Sequence, residues 1–184
     1  MNRNRPHGGT PQPPPGGRRR QWHLADAAAT RALGRDLAAQ LLAARSPGAG
    51  GVLPVLLLQG ELGAGKTCLV QGIASGLGIG EPITSPTFAL AQHYGGALAD
   101  GTATALVHLD LYRLEQAAAA EELFAQEEEE ATGQGALLAV EWPGRLSRLP
   151  PLAWLLELEL ADPSDPEAGR VAVLHRPGGL SAPA

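Results

Sequence analysis

The stretch GELGAGKT at residues 60–67 decides the fold of this chain, because it matches the pattern G-x-x-x-x-G-K-[ST] at every fixed position. An apolar run at residues 53–58 precedes it and predicts a buried strand, and residues 66–77 predict a helix. In that setting glycines allow positive φ, so successive N–H groups can turn towards an anion, and the helix N-terminus adds partial positive charge. The stretch therefore predicts a phosphate-binding loop of the P-loop class.

The residue types of this loop point to nucleotide and magnesium chemistry. Lys66 is the only lysine of the chain, beside 13 arginines, and we expect it to face the β- and γ-phosphates. The hydroxyl of Thr67 is a predicted Mg²⁺ ligand. An ordinary tight turn needs neither group. The predicted nucleotide-binding residues are Gly60, Leu62, Gly63, Ala64, Gly65, Lys66 and Thr67, joined by Ser85 and Thr87 from a later segment.

The rest of the chain alternates predicted strands with predicted helices. Leucines at helical spacing predict a helix over residues 26–44, and a further helical segment lies near residues 115–130. The apolar runs that predict strands after the loop are 104–109, 136–140, 152–160 and 171–174. A turn-rich segment alone separates the last two, so we expect an antiparallel hairpin at the sheet edge. The sequence predicts one α/β domain of the P-loop NTPase type, with a mixed, mostly parallel central sheet flanked by helices.

Two acids follow predicted strands, Asp110 and Glu141. A lone carboxylate in that position is usually a helix cap or a surface charge, but ligands of open α/β sheets bind at the carboxyl ends of strands. We therefore interpret both as catalytic candidates: Glu141 and Thr67 hold Mg²⁺ directly or through water, and Asp110 orients the metal-bound or attacking water. The two roles could be exchanged. Ser85 and Thr87 belong either to a plain loop or to a switch loop that senses the γ-phosphate.

Composition limits the domain count and the compartment. The 184 residues suffice for one domain. No run of 18 apolar residues occurs, so we expect no membrane contact. The single cysteine fits a reducing compartment, so we expect a cytoplasmic protein. Residues 1–20 hold five arginines and no acid, whereas the chain carries −5 overall, which leaves −10 for residues 21–184. This negative charge disfavours direct RNA binding by residues 21–184.

We predict a disordered basic arm over residues 1–21, a domain over 22–176 and a flexible tail over 177–184. The glutamate run at residues 127–130 is interpreted as a solvated helix face.

Four motifs together resemble the TsaE family: GELGAGKT at 60–67, SPTF at 85–88, HLDLYRL at 108–114 and EWP at 141–143. The resemblance covers roughly residues 22–176. It implies a weak Mg²⁺-dependent ATPase that allows turnover of a TsaB–TsaD complex during N6-threonylcarbamoylation of adenosine 37 of tRNA. By the same resemblance, TsaD performs the transfer and this chain meets tRNA only through the complex. The alanine-rich residues 116–120 depart from the family pattern, as does the basic arm.

Two other functions also require the loop. A P-loop small-molecule kinase would need arginines that close over the transferred phosphate, and only Arg145 and Arg148 suggest themselves, without a long lid insertion. A nucleotide-gated scaffold would use ATP binding without essential hydrolysis. The residues alone do not choose ATP over GTP.

Overall fold

The computed structural model describes residues 18–45 and 52–177, which form one seven-stranded sheet with helices on both faces. The strands are β1 (Arg18–Leu24), β2 (Leu56–Gln59), β3 (Ala91–Ala97), β4 (Ala103–Asp110), β5 (Leu137–Glu141), β6 (Trp154–Asp162) and β7 (Asp165–Arg176). The helices are α1 (Ala27–Ala43), α2 (Lys66–Gly76) and α3 (Ala117–Gln134), with a short 3-10 helix at Pro143–Arg145. Within these ranges no helix is both long enough and apolar enough to cross a membrane.

The strand order is β1-β7-β6-β2-β5-β4-β3. The four central strands β6, β2, β5 and β4 run parallel to one another, and each margin adds antiparallel pairing. This confirms the predicted mixed α/β sheet. The hairpin of β6 and β7 is antiparallel as predicted, but its position at the sheet edge was wrong, because β1 pairs with the outer side of β7. Strand β3 was not predicted either, since its sequence AQHYGGA contains two glycines and little apolar alternation.

Strand β1 corrects the predicted boundary of the basic arm. Residues 18–21 were assigned to the arm, yet they pair with β7 in a register that runs from Arg18 opposite Arg176 to Leu24 opposite Arg170. An edge strand tolerates charged side chains because it has solvent on one side. The Arg20 guanidinium lies 4.9 Å from the centre of the Trp22 ring, which gives this arginine a packing partner. Residues 1–17 of the predicted arm, and 178–184 of the predicted tail, lie outside the described residues.

Helices α1 and α2 cover one face of the sheet, and α3 covers the other. Side chains alternate along β2, so Leu56 and Leu58 belong to the core under α1 and α2, and Leu57 belongs to the core under α3. Helices α1 and α2 pack backbone against backbone. A Cβ at Gly34 would lie 2.3 Å from the Leu69 carbonyl oxygen, and one at Gly72 would lie 2.2 Å from that of Arg31. This close packing fixes the start of α2, where the glycine-rich loop ends.

Candidate functional site

The glycine-rich loop, residues 60–67, connects the end of β2 with the start of α2, as the sequence predicts. Gly65 is the N-cap of α2 with φ +106°, a left-handed conformation that favours glycine. Gly60 is required for a different reason, since a Cβ there would lie 2.4 Å from the Leu158 carbonyl oxygen of β6. The start of the loop is therefore seated tightly against β6, in the parallel part of the sheet.

Lys66 lies under the loop with only 4% of its surface exposed. Its Nζ donates to the carbonyl oxygens of Gly60 (2.9 Å) and Glu61 (3.0 Å) and lies 4.3 Å from the centre of the Trp142 ring. Burial lowers the pKa of Lys66 from its ordinary value of 10.5, and the charges of Glu141, Asp110 and Glu61 oppose that shift. The ammonium group is therefore hydrogen-bonded by neutral carbonyl oxygens, and the charges of three carboxylates act on it.

Glu141, at the end of β5, is bound by two donors on one oxygen. The Thr67 hydroxyl donates to Oε1 of Glu141 at 2.9 Å, and Nε2 of His108 lies 2.9 Å from the same atom. His108 is fully buried and Glu141 is 3% exposed. A carboxylate only accepts hydrogen bonds, so His108 must carry a proton on Nε2 to bond with it. This arrangement fixes the Glu141 carboxylate directly beside the first turn of α2.

Asp110 ends β4 directly opposite Glu141 in the parallel pairing of β4 with β5. The Thr87 hydroxyl donates to its Oδ2 at 2.6 Å, with the Ser85 hydroxyl at 3.4 Å, and the Tyr112 backbone N–H donates to Oδ1 at 2.9 Å. Asp110 is 2% exposed. The segment with Ser85 and Thr87 is thus tied to the same strand end as the two acids.

These groups line one cleft. The predicted site residues that line it are Leu62, Gly63, Gly65, Lys66, Thr67, Ser85, Thr87, Asp110 and Glu141. Gly60 and Ala64 do not line it, because Gly60 lies against β6 and the Ala64 side chain is buried. Cys68, Tyr112 and Trp142 complete the lining. A second cleft adjoins the other side of the loop and includes Thr30, Gly63 and Arg170.

Comparison with known proteins identifies the family of this site. The model of the family described as threonylcarbamoyl adenosine biosynthesis protein TsaE matches residues 24–170. The chain belongs to the TsaE family.

Curated relatives and a solved structure agree with this assignment. The chain is 42% identical over 133 residues to the tRNA threonylcarbamoyladenosine biosynthesis protein TsaE of Synechocystis, covering 71% of this chain and 74% of that one. It is 44% identical over 110 residues to the TsaE of Treponema pallidum, covering 59% and 75%. The crystal structure of Bacillus subtilis YdiB matches with a TM-score of 0.60 at 27% identity, over 88% of each chain.

Tyr112 and Arg170 are among the residues beside the site of this TsaE-family chain that were not predicted as site residues. The rings of Tyr112 and Trp142 are in tilted contact, with centres 4.8 Å apart and planes at 43°. Trp142 has a φ of +61°, which is rare for a tryptophan, and the Tyr112 carbonyl oxygen accepts from Arg145 at 2.8 Å. The position of Tyr112 within HLDLYRL was an available signal. Arg170 contacts the glycine-rich loop from β7, and its separation of 106 residues from Ala64 left no local signal.

The glutamate run of α3 is only partly the solvated face that we expected. Glu129 and Glu130 are exposed, but Glu127 is 4% exposed, and its Oε2 lies 2.9 Å from Nε2 of His93 on β3. The reason is helical spacing: Ala120, Phe124, Glu127 and Ala131 are the buried positions of α3. Glu127 therefore occupies a core-facing position and joins the helix to the sheet margin.

Proposed function

We propose that this TsaE-family chain binds ATP with Mg²⁺ at the glycine-rich loop and hydrolyses it in support of tRNA threonylcarbamoyladenosine biosynthesis. The observation that carries the proposal is the convergence of Lys66, Thr67, Asp110 and Glu141 in one cleft at the carboxyl ends of the parallel strands. A cationic ammonium group, a hydroxyl and two carboxylates beside a helix N-terminus form a donor set suited to a metal–polyphosphate.

The oxygen ligands fit magnesium. Mg²⁺ prefers hard oxygen ligands such as hydroxyls and carboxylates. The Thr67 hydroxyl donates a hydrogen bond of 2.9 Å to Oε1 of Glu141, so these two oxygens lie side by side at the cleft. We propose these two residues as the ones that would hold the ion, directly or through water. When bound, it would neutralise charge on the phosphates.

Asp110 is suited to hold the attacking water rather than the phosphates. Its carboxylate is fixed by Thr87 and Tyr112 and stays an acceptor, so it can orient a water through that water's protons. Thr87 and Ser85 would then report the state of the γ-phosphate through their contacts with Asp110. We therefore propose Glu141 for the metal and Asp110 for the water, and not the reverse, because only Glu141 is hydrogen-bonded to Thr67 in this structure.

The isolated chain is proposed to be a slow ATPase. Among the described residues that line the cleft, Lys66 is the one cationic side chain. Arg113 stacks over the Phe88 ring at 4.1 Å, and Arg145 is bound to the Tyr112 carbonyl oxygen. An additional arginine at the transferred phosphate is worth about 10³–10⁵ in rate in P-loop enzymes. We propose that the other threonylcarbamoyl-transfer proteins, TsaB and TsaD by the resemblance, complete this site in the cytoplasm.

Reconstitution tests the function. A reaction with TsaB and TsaD of the same organism, tRNA, ATP and a threonylcarbamoyl donor should give many turnovers only when this chain is added. Glu141→Gln should not sustain those turnovers, whereas Glu159→Gln, which removes the same charge from an exposed position of β6, should match the wild type. Full turnover with Glu141→Gln would favour the nucleotide-gated scaffold and contradict essential hydrolysis.

The pKa of Lys66 makes ADP binding sensitive to alkaline pH. Burial lowers this pKa, so the free protein loses the ammonium charge at a lower pH than an exposed lysine does. A phosphate nearby favours the charged form and raises the pKa in the complex. Between the two pKa values binding must therefore take up a proton, and affinity must fall as pH rises. Calorimetry of ADP binding in two alkaline buffers of different ionisation enthalpy measures that uptake. Equal heats in both buffers would contradict the placement of Lys66 at the phosphates.

A further inference from the structure

Arg170 of β7 is bound to the outer side of the glycine-rich loop. Its Nε donates to the Ala64 carbonyl oxygen at 3.1 Å, and its Nη2 donates to that of Gly63 at 3.3 Å. Its Nη1 donates to the carbonyl oxygens of Pro166 (2.7 Å) and Gly169 (3.0 Å). The planar guanidinium therefore bridges its own hairpin and two successive peptides of the loop.

The contact with Ala64 determines the orientation of one loop peptide. A trans peptide is planar, so its C=O and N–H groups point in opposite directions. Because the Ala64 carbonyl is held towards Arg170, the N–H of Gly65 in the same peptide points away from the guanidinium. Gly65 is the N-cap of α2, where unpaired N–H groups attract anions. Loss of Arg170 would free this peptide to rotate, and the Gly65 N–H would no longer be preorganised as a donor to an anion.

The charge of Arg170 acts in the same direction. In the part of the chain that the structure describes, no carboxylate lies within ion-pair distance of its guanidinium, and every partner is a neutral carbonyl oxygen. The residue is half-buried, so solvent screens its field only in part. An anion bound at the loop therefore experiences this positive charge in addition to that of Lys66.

The backbone of Arg170 is fixed by strands on both sides. It pairs with Leu24 of β1 and with Leu160 of β6. Neighbouring Gly169 has φ +92°, and a Cβ there would lie 2.5 Å from the Leu24 carbonyl oxygen. The side chain thus extends to the loop from a rigid base, which is what positioning a loop to a fraction of an ångström requires.

We propose that Arg170 is a positioning residue for anion binding: it orients the Ala64–Gly65 peptide and adds a positive charge beside the loop. The inference rests on the proposed nucleotide binding. It assigns to the antiparallel margin formed by β1, β6 and β7 a direct part in shaping a phosphate site that is otherwise built from β2, β4 and β5.

Calorimetry with Mg²⁺ and two probes, ADP and inorganic pyrophosphate, tests this role. Arg170→Ala should weaken both probes about tenfold, the effect of losing a charged hydrogen-bonding group. Arg170→Lys should recover part of that loss, because it keeps the positive charge but lacks the planar guanidinium that donates to two loop carbonyl oxygens. The exposed Arg19→Ala on β1 removes the same charge and should bind as the wild type does. Thermal unfolding of each variant verifies the fold, and Arg170→Lys serves as the test if Arg170→Ala is unstable.

The outcomes separate the two proposals. If the wild type does not bind ADP, the proposed function is wrong. If it does, and the Arg170 variants bind both probes as tightly, only the positioning role is refuted. Weakened ADP binding with unchanged pyrophosphate binding would also overturn the inference, since it would mean that Arg170 contacts the nucleoside and leaves the phosphate loop unaffected.

Discussion

Lys66→Ala is expected to weaken binding of ATP with Mg²⁺ by about 10- to 10²-fold, which corresponds to the roughly 1.5–3 kcal/mol of a hydrogen bond to a charged group. The side chain is the only cation that lines the cleft among the described residues; burial lowers its pKa, and the negative charges of Glu141 and Asp110 oppose that shift and favour the ammonium form. Without it, the phosphates would face Asp110 and Glu141 with only backbone N–H groups in compensation. Titration of the variant with ATP·Mg²⁺ by calorimetry measures the loss.

The matched control for this substitution is Arg19→Ala. Both changes remove one positive charge, but Arg19 is exposed on the edge strand and contacts Gln21. Its affinity for ATP should stay within twofold of the wild type, since Arg19 lines neither cleft beside the loop and salt screens an exposed charge. Equal, tight ATP binding by both variants would show that the glycine-rich loop is not the phosphate site.

The centre of the fold was predictable from the sequence because each central element has its own local signal. The apolar runs before the loop, before Asp110 and before Glu141 became β2, β4 and β5, and the leucines at helical spacing within residues 26–44 marked α1. The margins have weaker signals. Strand β1 is rich in arginine and β3 in glycine, so only pairing with β7 and β4 makes them strands. Tertiary context decides such segments, and propensity does not.

The site residues likewise fall into those with a local sequence signal and those without one. The loop, Asp110 and Glu141 could be predicted because each stands at a strand end, and parallel strands bring their carboxyl ends together. The contact of Arg170 with Ala64 spans 106 residues and uses a backbone carbonyl, which no side-chain pattern reveals. The prediction that Glu127 is solvated was wrong because composition was weighed without helical phase. A run of four glutamates suggests solvent by composition, but its helical phase turns one of them to the core.

Glu141→Gln is expected to lower ATP hydrolysis by roughly 10²-fold or more while leaving the fold intact. The amide has the same shape as the carboxylate, and its Oε1 can still accept from Thr67 and His108, so both hydrogen bonds at 2.9 Å can persist. What disappears is the negative charge, and with it the affinity of this position for Mg²⁺. Steady-state phosphate release, measured over a range of Mg²⁺ concentrations, should show both a lower maximum and a need for more metal.

Asp110→Asn would answer the same question less cleanly. Asp110 accepts from Thr87 on one oxygen and from Tyr112 on the other, so an amide nitrogen must displace one of those contacts. Glu141→Gln avoids that ambiguity because a single oxygen accepts both bonds. ADP binding measured without Mg²⁺ is the internal control: it should be unchanged or slightly tighter, since a negative charge near the phosphates has been removed. Unaltered hydrolysis at every Mg²⁺ concentration would show that the Glu141 carboxylate orients Thr67 and His108 and holds no metal.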